Sequence, residues 1–224
     1  MKSRSKRYKS SLEKKSVDSY SISDAIEILN NFEPAKFDES VEVSISLGVD
    51  PKQSSQAVRG TVNLPHGSGK KIKVLVFTDN PEEALSAGAD YAGLEDLVKK
   101  VKDGWLDFDV ALSSTSAMKE VRSIARVLGP RGLMPTPKAG TVTDDIASAI
   151  TEVKSGRVEF KMDKSGAMSV LVGKRSFDAS KLAENAEAAL VAVNAARPEG
   201  FKGKFIKRIH LSSTMSPSLQ IENN

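Results

Sequence analysis

The apolar pattern of the chain changes character twice, and this change constrains the fold more than any other sequence feature. Between residues 71 and 156, short apolar runs such as "KIKVLVF" (71–77) and "FDVALSS" (108–114) alternate with segments of helical periodicity. Continuous apolar runs are typical of strands that are buried on both faces, as in parallel sheets. The middle of the chain is therefore predicted to be a doubly wound, Rossmann-like α/β unit.

The helical segments of this middle region carry start and stop signals. Asn80 is the predicted cap of a helix over 79–89, with Pro81 at its first position, and Thr143 is the predicted cap of a helix over 144–156. The apolar spacing also predicts one unbroken helix over 116–129.

Outside the middle region, apolar residues alternate with polar ones. "SVEVSISLGV" (40–49) would bury one face, and residues 157–173 are predicted to form a hairpin that turns at Asp163–Gly166. A helix over 180–197 and a strand over 204–215 complete the pattern. Neither flank alone has enough strands for a stable sheet. The sequence therefore predicts one discontinuous α+β sandwich domain, an antiparallel sheet with helices, assembled from both flanks.

The domain boundaries follow from this division. Residues 1–66 and 158–224 would form the discontinuous domain, and residues 67–157 the inserted α/β domain. The predicted hinge residues at the two crossings are Gly67, Gly69 and Gly156. Glycine is favoured there because it tolerates large changes in backbone dihedral angles.

The stretch "NLPHGSGKK" (63–71) invites comparison with a phosphate-binding loop. That motif needs Gly, four residues and then Gly-Lys-Ser/Thr, after a strand and before a helix. Here Leu64 stands five positions before Gly69, Lys71 follows Lys70, and an apolar strand comes after the loop. Nucleotide hydrolysis is disfavoured, although a nucleotide-binding enzyme built on the α/β domain stays as the alternative.

Composition excludes further chemistry. The chain has 224 residues, no cysteine and two histidines, His66 and His210. Disulfides, zinc–thiolate sites and thiol catalysis are thereby removed, and a histidine-rich metal site is disfavoured. We expect no enzyme activity, no cofactor and no metal. The longest apolar runs fall far short of a membrane span of about 20 residues, so a cytoplasmic protein without a membrane partner is expected.

The charge distribution points to a polyanionic partner. Residues 1–15 contain seven Lys/Arg against one Glu, and residues 197–210 contain five against one, within a net charge of +4. Clustered basic residues favour nucleic acid, whereas the simpler alternative is a set of solvated lysines. A protein-interaction module is a third possibility, which binding indifferent to salt would favour.

Two short stretches suit contacts to irregular RNA. Lys36 and Phe37 lie in a polar loop ahead of a strand, where an exposed ring could stack on a base beside a phosphate contact. Phe37 could equally pack into the core. The hydroxyl-rich "SSTMSP" (212–217) could contact ribose 2′-OH groups, or could be a plain strand end.

Seven stretches together resemble one known family, the bacterial large-subunit ribosomal protein L-one of the mobile stalk. They are "AKFDESVE" (35–42), "VRGTVNLPHGSGK" (58–70), "AGADYAG" (87–93), "GWLDFD" (104–109), "LGPRGLMPTPKAGTV" (128–142), "GRVEFKMDKSGA" (156–167) and "STMSPS" (213–218). The resemblance implies a two-domain protein, monomeric within the ribosome, that binds 23S rRNA at the stalk and helps deacylated tRNA leave the E site. It also implies repression of the protein's own operon through the mRNA leader.

The resemblance also implies which residues face RNA. In the discontinuous domain these are Lys36, Phe37, Ser40, Thr214, Met215 and Ser216, with Glu27, Lys164 and Arg208 as secondary candidates. In the inserted domain a second RNA loop contains Gly129, Pro130, Arg131, Gly132 and Lys138. Two positions depart from the family pattern, because Ser216 stands where glycine is usual and Thr136 where asparagine is usual.

Overall fold

The computed structural model describes residues 4–15, 17–53 and 56–223. Its α-helices are α1 (Lys6–Glu13), α2 (Ile22–Asn31), α3 (Pro81–Ser86), α4 (Glu95–Lys102), α5 (Met118–Val121), α6 (Ala125–Leu128), α7 (Ile146–Ser155) and α8 (Ala179–Ala195). Its strands are β1 (Ser40–Leu47), β2 (Arg59–Asn63), β3 (Val74–Phe77), β4 (Tyr91–Gly93), β5 (Val110–Ser113), β6 (Arg157–Lys161), β7 (Ala167–Lys174), β8 (Ile206–Ser213) and β9 (Leu219–Ile221). Short 3-10 turns occupy Arg122–Ile124, Gly129–Arg131 and Pro137–Ala139.

The chain divides into two compact units. The first unit joins Met1–Gly69 with Val158–Asn224, and the second is Lys70–Arg157. Each unit has apolar clusters of its own. The mixed α/β character predicted from the sequence is confirmed.

The first unit is built on a four-stranded sheet in the order β7-β1-β8-β9, in which every neighbouring pair is antiparallel. The predicted alternation in β1 is confirmed, because Val41, Val43, Ile45 and Leu47 are buried. Val43 lies opposite Val170 of β7 and Leu211 of β8, so the apolar face continues across the sheet. Helices α2 and α8 pack on that face.

The predicted hairpin over 157–173 is wrong in its pairing. A turn does form at Asp163–Gly166, where the Asp163 carboxylate accepts hydrogen bonds from the Ser165 and Ala167 amides. The strands on its two sides, however, belong to different sheets. β6 pairs with β2 in a two-stranded sheet, while β7 pairs with β1, whose alternating apolar face matches its own.

The second unit contains a three-stranded parallel sheet in the order β4-β3-β5. All four residues of β3 are buried, as the continuous apolar run predicted. Val74 and Val76 pack with residues of α3 and α7, whereas Leu75 and Phe77 pack with residues of α4, α5 and α6. Both faces of the sheet are therefore covered by helices.

Three details of the helix predictions are corrected. Asn80 makes no side-chain capping bond to α3, which begins at Pro81. The cap of α7 is Asp145, whose carboxylate accepts a hydrogen bond from the Ser148 amide at 3.1 Å. Thr143 instead accepts from the Asp145 amide. The helix predicted over 116–129 is interrupted, because residues Arg122–Ile124 tighten to a 3-10 turn between α5 and α6.

Candidate nucleic-acid interface

Three distant chain segments meet at one end of the four-stranded sheet. Ser40 begins β1 opposite Lys174, the last residue of β7, while Val41 pairs with Ser213, the last residue of β8. The Ser40 amide donates to Thr214 Oγ1 at 3.0 Å, and the Thr214 amide donates to the Ser40 carbonyl at 3.0 Å. Lys174 Nζ donates to Ser40 Oγ at 3.0 Å. We call this region the strand-end surface; its members are Lys36, Phe37, Ser40, Lys174, Thr214 and Met215.

The large apolar side chains of this surface face solvent. Phe37 is 54% exposed and Met215 is 50% exposed. The core alternative for Phe37 is therefore wrong. Lys36 and Thr214 are also exposed. Ser216 is half-buried, and its hydroxyl accepts a hydrogen bond from the Ser213 amide at 2.9 Å, so this side chain closes the turn after β8.

A buried carboxylate, which the sequence reasoning missed, lies beneath the strand-end surface. Glu39 is 1% exposed. Its Oε1 accepts from the Ala35 amide at 2.7 Å, and its Oε2 accepts from Ser213 Oγ at 2.6 Å and from the Met215 amide at 3.1 Å. One side chain thus fixes both the loop that carries Phe37 and the turn that carries Met215.

Arg175 completes this buried network. Its Nη1 donates to Glu39 Oε1 at 3.2 Å, and its Nη2 donates to the carbonyls of Asn30 and Phe32. Its side chain is only 10% exposed. A buried ion pair is tolerated when further hydrogen bonds satisfy both ions, as they do here. Nothing in the local pattern at residues 39 or 175 signals this pairing, because the partners are 136 positions apart.

The environment of Glu39 favours its ionised form. Burial by itself raises the pKa of the Glu39 carboxyl, but the hydrogen bonds from Ser213, Ala35 and Met215 and the charge of Arg175 outweigh it. The pKa is therefore lowered from its ordinary value of 4.5. The carboxylate stays charged at neutral pH and holds the four donors that shape the strand-end surface.

The secondary candidates lie apart from the strand-end surface or at its border. Glu27 is exposed on α2, one helical turn before Asn30. Lys164 is exposed in the turn before β7, and Arg208 is exposed on β8 opposite Ser46. Ser46 lies six positions along β1 from Ser40, a distance of roughly 20 Å in an extended strand. The structure therefore places Lys164 and Arg208 at the far end of the sheet.

The candidate loop of the second unit is compact. Gly129, Pro130, Arg131 and Gly132 are exposed, and Gly129–Arg131 form a 3-10 turn. Lys138 lies in the 3-10 turn Pro137–Ala139. The Thr136 amide donates to Thr141 Oγ1 at 2.8 Å, whereas the buried Thr136 Oγ1 has no hydrogen-bond partner among the described residues. Threonine at this departure from the family pattern therefore leaves one polar atom unsatisfied.

The candidate hinge glycines all have positive φ, at 68° for Gly67, 70° for Gly69 and 117° for Gly156. The turn at Gly67 is anchored by Asn185, which is 0% exposed on α8. Asn185 Nδ2 donates to the Gly67 carbonyl at 3.0 Å and to the Val172 carbonyl at 2.7 Å, and its Oδ1 accepts from the His66 amide at 3.1 Å. At Gly69 an added Cβ would lie 2.8 Å from the Phe177 ring, so alanine there would be strained by packing as well as by φ.

The two histidines lie in separate environments, His66 beside a carboxylate and His210 partly buried near cations. His66 Nε2 lies 2.6 Å from Glu184 Oε2. Burial lowers the pKa of His210, and the charges of Lys15 and Arg208 lower it further. Among the described residues, no three His, Asp or Glu side chains converge as a metal site. No helix in the described part of the chain is long and apolar enough to span a bilayer.

Comparison with known proteins decides the family. The model of the Ribosomal protein L1p/L10e family matches residues 29–217. The chain belongs to this family. The resemblance inferred from sequence motifs is confirmed, and the matched range of the L1p/L10e family contains every member of the strand-end surface. Helix α1 lies outside it.

Individual relatives agree over nearly full length, and each is named large ribosomal subunit protein uL1. The chain is 53% identical to that of Protochlamydia amoebophila over 213 residues, covering 93% of this chain and 90% of the relative. It is 47% identical to that of Kosmotoga olearia over 228 residues, covering 100% of this chain and 98% of the relative. It is 50% identical to that of Persephonella marina over 229 residues, covering 99% of this chain and 95% of the relative.

Proposed function

We propose that this protein is a non-catalytic component of the large ribosomal subunit in the cytoplasm, and that it binds 23S rRNA at the mobile stalk through the strand-end surface. The observation that carries the proposal is the exposure of Phe37 and Met215 beside Lys36, on two segments that the buried Glu39 carboxylate holds by hydrogen bonds. Exposed rings stack on unpaired bases or riboses, and neighbouring cations neutralise phosphates. Family membership supports the ribosomal setting.

Pre-organisation favours RNA binding at this surface. Glu39 and Arg175 hold the Phe37 loop and the Met215 turn before any partner arrives. The backbone that carries Phe37 and Met215 therefore loses little conformational freedom on binding. Thr214 is exposed at the edge, and its hydroxyl oxygen accepts from the Ser40 amide and donates to the Ser40 carbonyl. A hydroxyl oxygen has two acceptor lone pairs, so the second would accept a hydrogen bond from a ribose 2′-OH.

The basic N-terminal helix adds charge to the same neighbourhood. Lys14 Nζ donates to the Asn31 carbonyl at 2.7 Å, and Arg7 Nη1 lies 3.5 Å from the Pro34 carbonyl. These contacts tie α1 to the segment that leads into Lys36 and Phe37. Phosphate contacts from such residues would supply affinity without sequence selectivity.

The remaining roles follow from the family resemblance as proposals. The two compact units would act as an RNA-binding domain and an inserted domain, with the loop Gly129–Lys138 as a second RNA contact and Gly67, Gly69 and Gly156 at the crossings. The protein would assist release of deacylated tRNA from the E site, bind its own operon mRNA leader as a repressor, and act as a monomer within the ribosome. Glu27, Lys164 and Arg208 would extend the RNA contact beyond the strand-end surface.

Replacement of Phe37 by alanine is expected to weaken binding to a stalk rRNA fragment by about 1–3 kcal/mol, because one stacking contact is lost. Phe37 is more than half exposed, so the thermal unfolding midpoint should hardly change. Affinity is measured by titration at fixed salt. Leu85→Ala is the matched control, since Leu85 is a 49% exposed apolar residue of the second unit. Equal affinities for the Phe37 and Leu85 variants would remove Phe37 from the interface.

A further inference from the structure

A groove of about 480 Å3 lies directly beside Phe37. Its polar lining offers contacts beyond the stacking of a base on the Phe37 ring. Its lining includes Asn30, Pro34, Phe37, Asp38 and Arg175. The exposed Phe37 ring forms part of the lining, and Arg175 is held there by Glu39 and by the carbonyl of Asn30. The groove therefore combines an aromatic surface with fixed polar groups, the mixture typical of sites for small planar ligands.

Asp38 supplies an oriented carboxylate in this groove. Its Oδ1 accepts from the Ser176 amide at 3.2 Å, and its Oδ2 accepts from Ser176 Oγ at 2.9 Å. An ionised carboxylate has about four lone-pair sites on its two oxygens. Among the described residues Ser176 is the side-chain partner of Asp38, so one acceptor position on each oxygen remains for a ligand with two adjacent N–H donors.

The charged side chains around the rim of the groove are cationic, opposite in sign to the Asp38 carboxylate. Lys174 Nζ lies 3.4 Å from the Asp38 carbonyl, Arg7 Nη1 lies 3.5 Å from the Pro34 carbonyl, and Lys36 precedes Phe37 in the chain. A phosphate would be repelled by the Asp38 carboxylate but attracted by these cations. The pattern therefore suits a nucleotide whose base enters the groove while its phosphates stay at the rim.

We propose that this groove binds one unpaired guanine base of an RNA, with its N1–H and N2–H2 donors on the Asp38 carboxylate and its ring against Phe37. Guanine is the base that offers two neighbouring donors on its Watson–Crick edge. Adenine and cytosine offer an amino donor beside an acceptor. Asp38 is thus a specificity-determining residue of the interface, and this inference rests on the proposed RNA-binding function.

The test uses single-stranded RNA hexamers of sequence UUXUUU, in which X is guanine, hypoxanthine or adenine. Affinities for the full-length protein are measured by fluorescence anisotropy at low salt. We expect the guanine hexamer to bind roughly tenfold more tightly than the adenine hexamer. Hypoxanthine lacks the 2-amino group and should fall in between.

Two variants separate base reading from support of the loop. Asp38→Asn keeps the shape but presents an amide, and it should abolish the guanine preference. Ser176→Ala removes the Oγ–H donor to Asp38 Oδ2 yet leaves the carboxylate, so the preference should persist. Both variants lose part of the same Asp38–Ser176 contact, and thermal unfolding of each confirms that a change in selectivity is not a loss of fold.

Each contrary result has one meaning. Equal binding of the three hexamers by the unaltered protein, or a guanine preference that survives in Asp38→Asn, overturns the guanine site. So does binding of a stalk rRNA fragment without binding of any hexamer, because a groove for an unpaired base must accept one from a flexible strand. These three results leave the proposed RNA-binding function standing. Failure to bind the stalk fragment as well would instead defeat that function.

Discussion

Replacement of Glu39 by alanine is expected to lower the free energy of unfolding of the unit that contains β1 by about 3 kcal/mol, since removing one partner of a buried ion pair leaves the other charge without compensation. Arg175 keeps its contacts with the Asn30 and Phe32 carbonyls, which places the effect at the low end of the usual range. The Ala35 and Met215 amides and the Ser213 hydroxyl lose their acceptor at the same time. RNA affinity should fall too, because the Phe37 loop and the Met215 turn lose their common anchor.

Hydrogen exchange at the Val43 and Ile45 amides measures this loss, because β1 is flanked by β7 and β8 within the sheet. Trp105 is the one tryptophan of the sequence and lies in the second unit, so its fluorescence transition should stay unchanged. Glu33→Ala is the matched control, as Glu33 is exposed just before the same loop. Equal exchange rates in the Glu39 and Glu33 variants would contradict a structural role for Glu39.

The pH dependence provides an independent check on Glu39. Because the pKa of Glu39 is lowered in the folded state, its ionisation stabilises the fold fully above the ordinary value of 4.5, and that contribution is lost as pH falls through the lower folded pKa. The difference in unfolding free energy between the natural protein and Glu39→Gln should therefore be largest near neutral pH and shrink below 4.5. A difference that grows on acidification would mean that the carboxyl is buried in its protonated form.

Replacement of Asn185 by leucine is expected to lower the free energy of unfolding of the unit that contains α8 by about 3 kcal/mol. Each buried group left without a partner costs about 1–3 kcal/mol, and Asn185 serves the Gly67 carbonyl, the Val172 carbonyl and the His66 amide. Leucine is similar in size, so packing changes little while these three bonds disappear. The segment leading to the first crossing should then exchange its amide protons faster than the sheet does.

Asn194→Leu is the control for this substitution, because Asn194 is exposed on the same helix. The unfolding free energies of both variants are measured by urea unfolding followed by far-UV circular dichroism. Trp105 fluorescence monitors the second unit separately. If the Asn185 and Asn194 variants were equally stable, the buried amide would not anchor the turn at Gly67. Asn185 is also a better probe of the crossing than Gly69→Ala, which introduces a steric contact with Phe177 of its own.

Local periodicity was sufficient to predict the elements that bury one or both faces. The alternation of Val41, Val43 and Ile45 predicted β1, and the continuous run of β3 predicted a strand covered on both faces. Burial imposes these periods directly on the sequence, so they can be read without knowing the partner strands. The same reasoning could not assign the pairing of β6, because pairing depends on which distant strand offers a matching edge.

Buried polar residues were the part that periodicity could not find. Glu39 and Arg175 are 136 positions apart, and Asn185 and Gly67 are 118 apart. In the sequence Glu39 resembles any acidic residue of a polar loop, and Asn185 resembles a polar residue of an amphipathic helix. Only tertiary contacts reveal that both are buried and fully bonded. For Phe37 the sequence left exposure and burial open. The structure shows that its side chain is 54% exposed.

Direct titration of the unaltered protein against a stalk fragment of 23S rRNA tests the central proposal most directly. Binding should be detectable at low ionic strength, and log K should fall linearly with log salt concentration by roughly 0.7–0.9 for each phosphate contacted. An unrelated RNA duplex of equal length should bind more weakly at every salt concentration. Undetectable binding at low salt, or equal affinity for both RNAs, would contradict the assignment of the strand-end surface as an rRNA-binding site.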